Sequence, residues 1–512
     1  MTKILDCTLR DGGYYTDWDF SPEVVDSYIS AMNMLPIDYL EVGYRNKPMS
    51  EYQGKFGYSP VSVLRHLKNA CSKKIVVMLN EKSTSPEDLE SLLGPIVGVA
   101  DMIRIAIDPR NFDRAVVLAK AVKSMGFEVG FNCMYMSKWS SEYAGFLSKL
   151  GVLNDFCDLF CMVDSFGGVT PEDVTSIFNE VRRNTTVPIG FHGHNNLQLG
   201  LINTITAIKL GCEYVDATIM GMGRGAGNLN MELLLTYLNA HEGLPVDFNV
   251  LGDVVSTFKP LWDKYQWGTN LPYMIAGANR IAQKEVMDWV TNRVYSFNSI
   301  VRALENKKNN TIDNAKFPTI DKNIHYDKVV VIGGGESIAE HLDAVKEYIS
   351  RQDNIAMVFA TSRNAGYFLD LKVPKYYCLV GNEGRRLSKT VGKDNLDGIC
   401  VLPPYPRTMG TEVPEYALEH TFELPEIEFT DEFKDSVTTI SLQLALNITG
   451  GDIFVIGYDG YPGNVLSEKE MALTNENKSI FLAYQRFKCD MLKSLTPSLY
   501  KDLVVESVYR FI

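Results

Sequence analysis

Two histidines, His192 and His194, stand two residues apart in FHGHNN at the end of an apolar run. Alternate residues of a strand project to one face, so the two imidazoles point the same way. Such a pair either makes hydrogen bonds at a loop start or, with a carboxylate beside it, forms a facial set for a divalent cation with open positions. The candidate carboxylate is Asp11 in DCTLRDGG, where Arg10 supplies a fixed cation. A metal and a guanidinium side by side suit a reaction that develops an oxyanion. Further polar groups also follow apolar runs: Glu41 and Arg45 in LEVGYR, Ser165 in VDSFGG, and the loop GMGRGAGN that ends in Asn228. Glu41 either contacts Arg10 or substrate, or forms a pair that stabilises the fold; Arg45 points at the same rim.

The elements that must position these groups are eight apolar runs, near residues 5, 40, 77, 104, 130, 160, 190 and 217. They recur at intervals of roughly 25–35 residues and read as parallel strands covered on both faces. Helix starts separate them: Ser21-Pro22-Glu23, Ser85-Pro86-Glu87 and Thr170-Pro171-Glu172 each combine a hydroxyl cap, a proline and a carboxylate. Eight successive βα units favour a closed (β/α)8 TIM barrel over an open sheet. In a barrel, strands one, seven and eight are neighbours, so the patches at 6–13, 192–196 and 221–228 converge on the rim where catalytic groups collect. The residues after the first strand are expected to form a polar loop.

The barrel domain is assigned to residues 1–243. Residues 244–304, with Phe258, Trp262, Tyr265, Trp267, Tyr273 and Trp289, read as a helical lobe packed against it, and the polar stretch 305–326 as a linker. Residues 327–512 read as a Rossmann-like α/β domain. Its first turn, Gly333-Gly334-Gly335 with Ser337, is a phosphate cradle or simply a tight βα turn. A basic stretch holding Arg363, Arg385, Arg386 and Arg407 precedes an acidic one, residues 412–435, and is a second place for a phosphorylated ligand or only a solvated face.

Composition bounds the partners. The 512 residues carry a formal net charge of −13, which argues against a nucleic-acid partner. Charges such as Asp101 and Arg104 interrupt the longest apolar runs, so no membrane span is expected. The nine cysteines form no CxxC pair and are expected to be reduced thiols of a cytoplasmic protein that assembles with copies of itself.

DCTLRDGG, FHGHNN and GMGRGAGN together resemble the DRE-TIM metallolyases, the family of hydroxymethylglutaryl-CoA lyase, and within it the 4-hydroxy-2-oxovalerate aldolase branch. The resemblance covers about residues 2–240. It implies a divalent metal, Mn²⁺ or Mg²⁺, on Asp11, His192 and His194, with Asn228 near it, Arg10 stabilising an enolate and Ser165 near the substrate carboxylate. It also implies a pyruvate-type enolate reacting with an aldehyde or ketone, and Tyr273 loosely matches a tyrosine of that branch. The chain departs from the branch at Tyr14, where a histidine base is expected; a phenol, titrating near pH 10, is a poorer base. The lyases' catalytic cysteine has no counterpart in 221–228. The alternatives are a Claisen-type acyl-CoA synthase or lyase, and a non-catalytic barrel scaffold carrying a nucleotide-binding C-terminal domain. That domain faintly resembles nucleotide-using transferases, which implies a nucleotide or nucleotide-linked sugar as its ligand.

Overall fold

The computed structural model describes residues 2–143, 145–292, 297–310, 315–321, 324–407, 411–462 and 468–512. The chain divides into two compact units, Met1–Asp288 and Trp289–Ile512. No helix among the described residues is long and apolar enough to cross a membrane.

In the first unit, eight parallel strands close into a barrel in sequence order. They are β1 (Lys3–Asp6), β2 (Tyr39–Tyr44), β3 (Lys74–Asn80), β4 (Met102–Ile107), β5 (Glu128–Cys133), β6 (Leu159–Asp164), β7 (Ile189–Gly193) and β8 (Tyr214–Ala217). The seam closes where β1 pairs with β8, Leu5 opposite Asp216 and Asp6 opposite Ala217. Each strand is buried on both faces, as its unbroken apolar run implies. Outward residues such as Ile4, Leu40 and Val77 meet the surrounding helices. Leu5, Tyr39, Val76, Met102, Leu159 and Tyr214 fill the floor inside.

The helix starts fold as their caps suggest, with one difference. At Thr170 the partner is Asp173, whose carboxylate accepts from the Thr170 N–H while Thr170 accepts from the Asp173 N–H, a reciprocal box. The proline-adjacent glutamates only supply charge near the helix ends. The segment after β1 corrects the expected polar loop: Thr8–Thr16 is a helix that carries Arg10 and Asp11. Two glycines inside it weaken helix propensity, but packing overrides this: a Cβ on Gly13 would lie 2.1 Å from the Trp18 ring.

The unit boundary falls inside the segment read as a helical lobe. Helices Phe248–Tyr265 and Leu271–Ala278 belong to the first unit, whereas Phe297–Lys308 belongs to the second and runs into the segment read as linker. Of that segment, 311–314 and 322–323 lie outside the described residues; Thr319 bridges to Glu423.

The second unit holds β9 (Tyr326–Ile332), β10 (Ile355–Phe359), β11 (Lys375–Cys378), β12 (Ile399–Leu402), β13 (Thr421–Glu423), β14 (Thr449–Ile456), β15 (Leu492–Ser494) and β16 (Leu503–Val505). They form one parallel sheet in the order β13-β12-β11-β10-β9-β14-β15-β16. Val329 and Val331 face a core shared with helix Val437–Ile448, while Val330 and Ile332 face another shared with helix Leu342–Ser350. Both faces are therefore covered, and the strand order reverses between β9 and β14.

Candidate metal centre

His192, on β7, donates its Nδ1–H to Asp216 Oδ2 at 2.9 Å. His194, just beyond, donates Nδ1–H to the carbonyl of Asp164 at 2.7 Å. A carbonyl only accepts, so the His194 tautomer is fixed, and in both rings Nε2 keeps its lone pair. The rings lie 5.0 Å apart, nearly perpendicular. Burial, with His192 and Arg224 nearby, pushes the His194 pKa down to about 3, so the ring is neutral. His192 Nε2 faces Asp11 Oδ2 at 3.6 Å. Burial opposes the charge on Asp11, yet Arg10, both histidines and Asn228 hold its carboxyl below the ordinary range. Asn228 bridges to His194 and donates Nδ2–H to Asp11 at 2.7 Å, leaving its buried Oδ1 without a partner.

A carboxylate, two preset imidazole nitrogens and an unpaired amide oxygen fit a hard or borderline divalent ion. Cys7, His192 and Asp216 also bring ligand atoms within 4.8 Å of one another. That set is the poorer one. Burial raises the Cys7 thiol well above its usual value and keeps it protonated, and Asp216 is already committed to His192 and Arg104.

The charges close into a ring. Arg10 pairs with Asp11 through Nη1 and with Glu41 through Nε at 2.5 Å. The other Glu41 oxygen meets Arg104 Nη1 at 3.1 Å, and Arg104 Nη2 meets Asp216 at 2.8 Å, which leads back to His192. Glu41 and Arg104 are fully buried. Arg104 fits because β5 offers Gly130, where a Cβ would come within 2.9 Å of the Arg104 side chain.

Of the residues singled out in the sequence, the structure gathers Arg10, Asp11, Glu41, His192, His194 and Asn228. Ser165 Oγ accepts from the Tyr135 N–H at 2.9 Å, which leaves its proton free to donate. Tyr14 meets the Tyr44 hydroxyl at 3.2 Å and lies under the Arg224 guanidinium, 5.2 Å from its ring centre. Tyr273 is buried beside Gly225, its hydroxyl unpartnered. Arg45 is a correction: its guanidinium is committed to the carbonyls of Tyr58, Ser59 and Leu92, at the ends of two short helices, and not to a substrate position.

The glycine turn of the second unit is another correction. Gly333 and Gly335 N–H groups donate to Ile456 and Gly457, and Ser337 N–H donates to Asp459 Oδ2 at 2.8 Å. The Asp459 carboxylate stands where a phosphate was expected. In the basic stretch, Arg407 pairs with Glu423 of the acidic segment and Arg386 with Glu383.

Sequence reading missed Arg104, Asp216 and Arg224. The signal for the first two was present: MIRIAI and YVDA each place a charge inside an apolar parallel strand, where an ionised group survives only if paired.

The HMGL-like family model matches residues 103–255. A Carboxydothermus hydrogenoformans protein named 4-hydroxy-2-oxovalerate aldolase is 31% identical over 244 residues, 46% of this chain and 70% of its own. The chain belongs to the HMGL-like family. Another HMGL-like relative, named oxaloacetate decarboxylase, from Mycobacterium tuberculosis, is 25% identical over 46% of this chain and 69% of its own. The crystal structure of the N-terminal domain of a Bacteroides vulgatus protein, provisionally described as an aldolase, shares 72% identity at a TM-score of 0.56. It covers 59% of this chain and 99% of that one.

Proposed function

We propose that the barrel is a divalent-metal-dependent aldolase that forms the enolate of pyruvate or a similar 2-oxo acid and joins it to an aldehyde or ketone, or runs the reverse cleavage. The observation that carries this reading is the fixed tautomer of both histidines, which presents two Nε2 lone pairs beside Asp11. A Mn²⁺ or Mg²⁺ ion held by Asp11, His192 and His194 would supply Lewis-acid polarisation of a chelated 2-oxo acid.

The chain's own residues do the rest. Arg10, clamped by Glu41 and Asp11, places a guanidinium that cannot swing away where the enolate oxygen develops its charge. Ser165 has a free proton with which to hold the substrate carboxylate. Tyr14, its hydroxyl shared with Tyr44 and its ring under Arg224, moves the proton at the acceptor oxygen. Tyr273 closes the loop side. A nucleotide-linked acceptor is not part of this reading, because Asp459 and main-chain carbonyls take donors of the glycine turn.

The test is deuterium exchange into the pyruvate methyl group with Mn²⁺ present. Wild-type protein exchanges the methyl protons, and Arg10→Ala and His192→Ala slow the exchange by about 10²-fold or more. Unchanged exchange in either variant disproves the mechanism. The same enolate arises from oxaloacetate by loss of CO₂, so decarboxylation is the companion assay. Thiol release from acetyl-CoA would point to the Claisen reaction instead.

A further inference from the structure

Arg224, in the loop after β8, is a cation that the aldolase mechanism above does not consume. We propose that it is the receptor for a second anionic group, a carboxylate or phosphate carried by the acceptor carbonyl compound, so that the enzyme selects charged aldehydes or ketones over neutral ones. The proposal deepens the aldolase reading and rests on it.

Three observations support the assignment. Arg224 is partly buried, and no Asp or Glu among the described residues forms an ion pair with it; it lies instead over the Tyr14 ring, 5.2 Å from the centre. A guanidinium drawn partly out of water without a carboxylate is costly unless an anion completes it. Burial opposes its charge, while the Tyr14 and Tyr44 oxygens and Asp11 favour it, and its field reaches His194. Arg224 lies over Tyr14, on the helix that carries Arg10 and Asp11, and in the loop that ends at Asn228, so it shares the mouth with the proposed metal ligands.

Its position is also held. The next residue, Gly225, takes a left-handed φ of 64°, accepts from the Tyr15 hydroxyl at 3.0 Å, and leaves no room for a Cβ, which would sit 2.1 Å from Gln283 Oε1. Gln283 in turn accepts from the Ala226 N–H and donates to Asn196. A pinned loop that presents a guanidinium with no carboxylate partner is a preorganised anion receptor.

The experiment compares pyruvate addition to succinic semialdehyde, glyceraldehyde 3-phosphate and neutral glyceraldehyde in wild type, Arg224→Gln and Arg224→Lys. Wild type prefers a charged aldehyde, and which of the two it prefers separates carboxylate from phosphate. Arg224→Gln lowers that preference in kcat/KM by ~10- to 100-fold, and Arg224→Lys restores part of it. An unchanged preference overturns the proposal, as does an equal loss for all three aldehydes or an effect confined to the KM of pyruvate. Calorimetric titration of inorganic phosphate and of succinate is the second arm. Binding to wild type that weakens in Arg224→Gln supports the proposal, and equal or absent binding overturns it. Failure of the aldolase reading shows separately, as absent deuterium exchange in wild type.

Discussion

Asp216 Oδ2 accepts from two donors at once, Arg104 Nη2 at 2.8 Å and His192 Nδ1 at 2.9 Å, so the arginine of β4 helps set the orientation of a candidate metal ligand on β7. Arg104 also grips Glu41, and Glu41 aims Arg10. One buried side chain thus positions both halves of the catalytic set.

Removing it takes one buried counter-charge from each of two carboxylates, leaving Glu41 to Arg10 and Asp216 to His192 alone. Arg104→Met is expected to destabilise the first unit by about 3–5 kcal/mol, read as a drop in the urea midpoint. Asp216→Asn keeps the shape but weakens the acceptor for His192. It should lower Mn²⁺ affinity by about 10- to 100-fold, measured by titration on protein whose circular dichroism is unchanged. Full affinity in Asp216→Asn would refute the orienting role.

Glu41→Gln tests the clamp on Arg10. A neutral amide still accepts one hydrogen bond but no longer balances two guanidinium groups. We expect kcat to fall by about 10-fold or more while the KM for pyruvate changes little, because the loss lies in transition-state stabilisation. A change confined to KM would argue that Glu41 touches substrate.

His194 gives the protein an acid sensitivity with a definite sign. The unfolded imidazole takes a proton near pH 6.5 and the folded one only near 3. Between those values the unfolded chain binds more protons, so this group lowers stability as pH falls from 6.5 toward 3, with a slope of at most about 1.4 kcal/mol per pH unit. Asp6 and Asp164, raised to about 6 chiefly by burial, act in the opposite sense between roughly 3.8 and 6. His194→Gln should therefore lose less stability than wild type between pH 6.5 and 4, measured by urea unfolding of metal-free protein. Identical slopes would show that the imidazole titrates normally.

In the second unit, Gly335→Ala places a Cβ 2.4 Å from the Asp459 carboxylate, which the Ser337 N–H holds in place. Overpacking of this kind costs about 1–3 kcal/mol. Pairing the change with Asp459→Ser should relieve most of it, as a double-mutant cycle would show; additive losses would contradict the contact.

Much of the barrel was legible because parallel strands buried on both faces leave unbroken apolar runs, and the proline-led caps mark the helices between them. The convergence of Asp11, His192 and His194 was legible for the same reason, since HGH sits at the end of its strand. Thr8–Thr16 was not, because Gly12 and Gly13 oppose helix by local propensity, and only contacts with Met222 and Trp18, distant or later in sequence, override that preference. Arg45 misled because its carbonyl partners lie at the ends of two short helices that no spacing rule places beside it. The glycine turn misled because Asp459, 122 residues beyond Ser337, occupies it. In the second sheet β12, β13, β15 and β16 are only three or four residues long and leave little apolar pattern to read.

The pairing of β9 with β14 has a consequence for how the protein is made. Tyr326 and Thr449, which bond across these neighbours, are 123 residues apart in sequence. A ribosome therefore delivers β9 through β13 well before the strand that covers the free side of β9. Until then β9, with its apolar run from Val329 to Ile332, is an open parallel edge able to pair with other chains. The second unit is exposed to misassembly during synthesis for as long as it takes to translate that interval, and its yield should be sensitive to translation speed and to chaperones that shield strand edges.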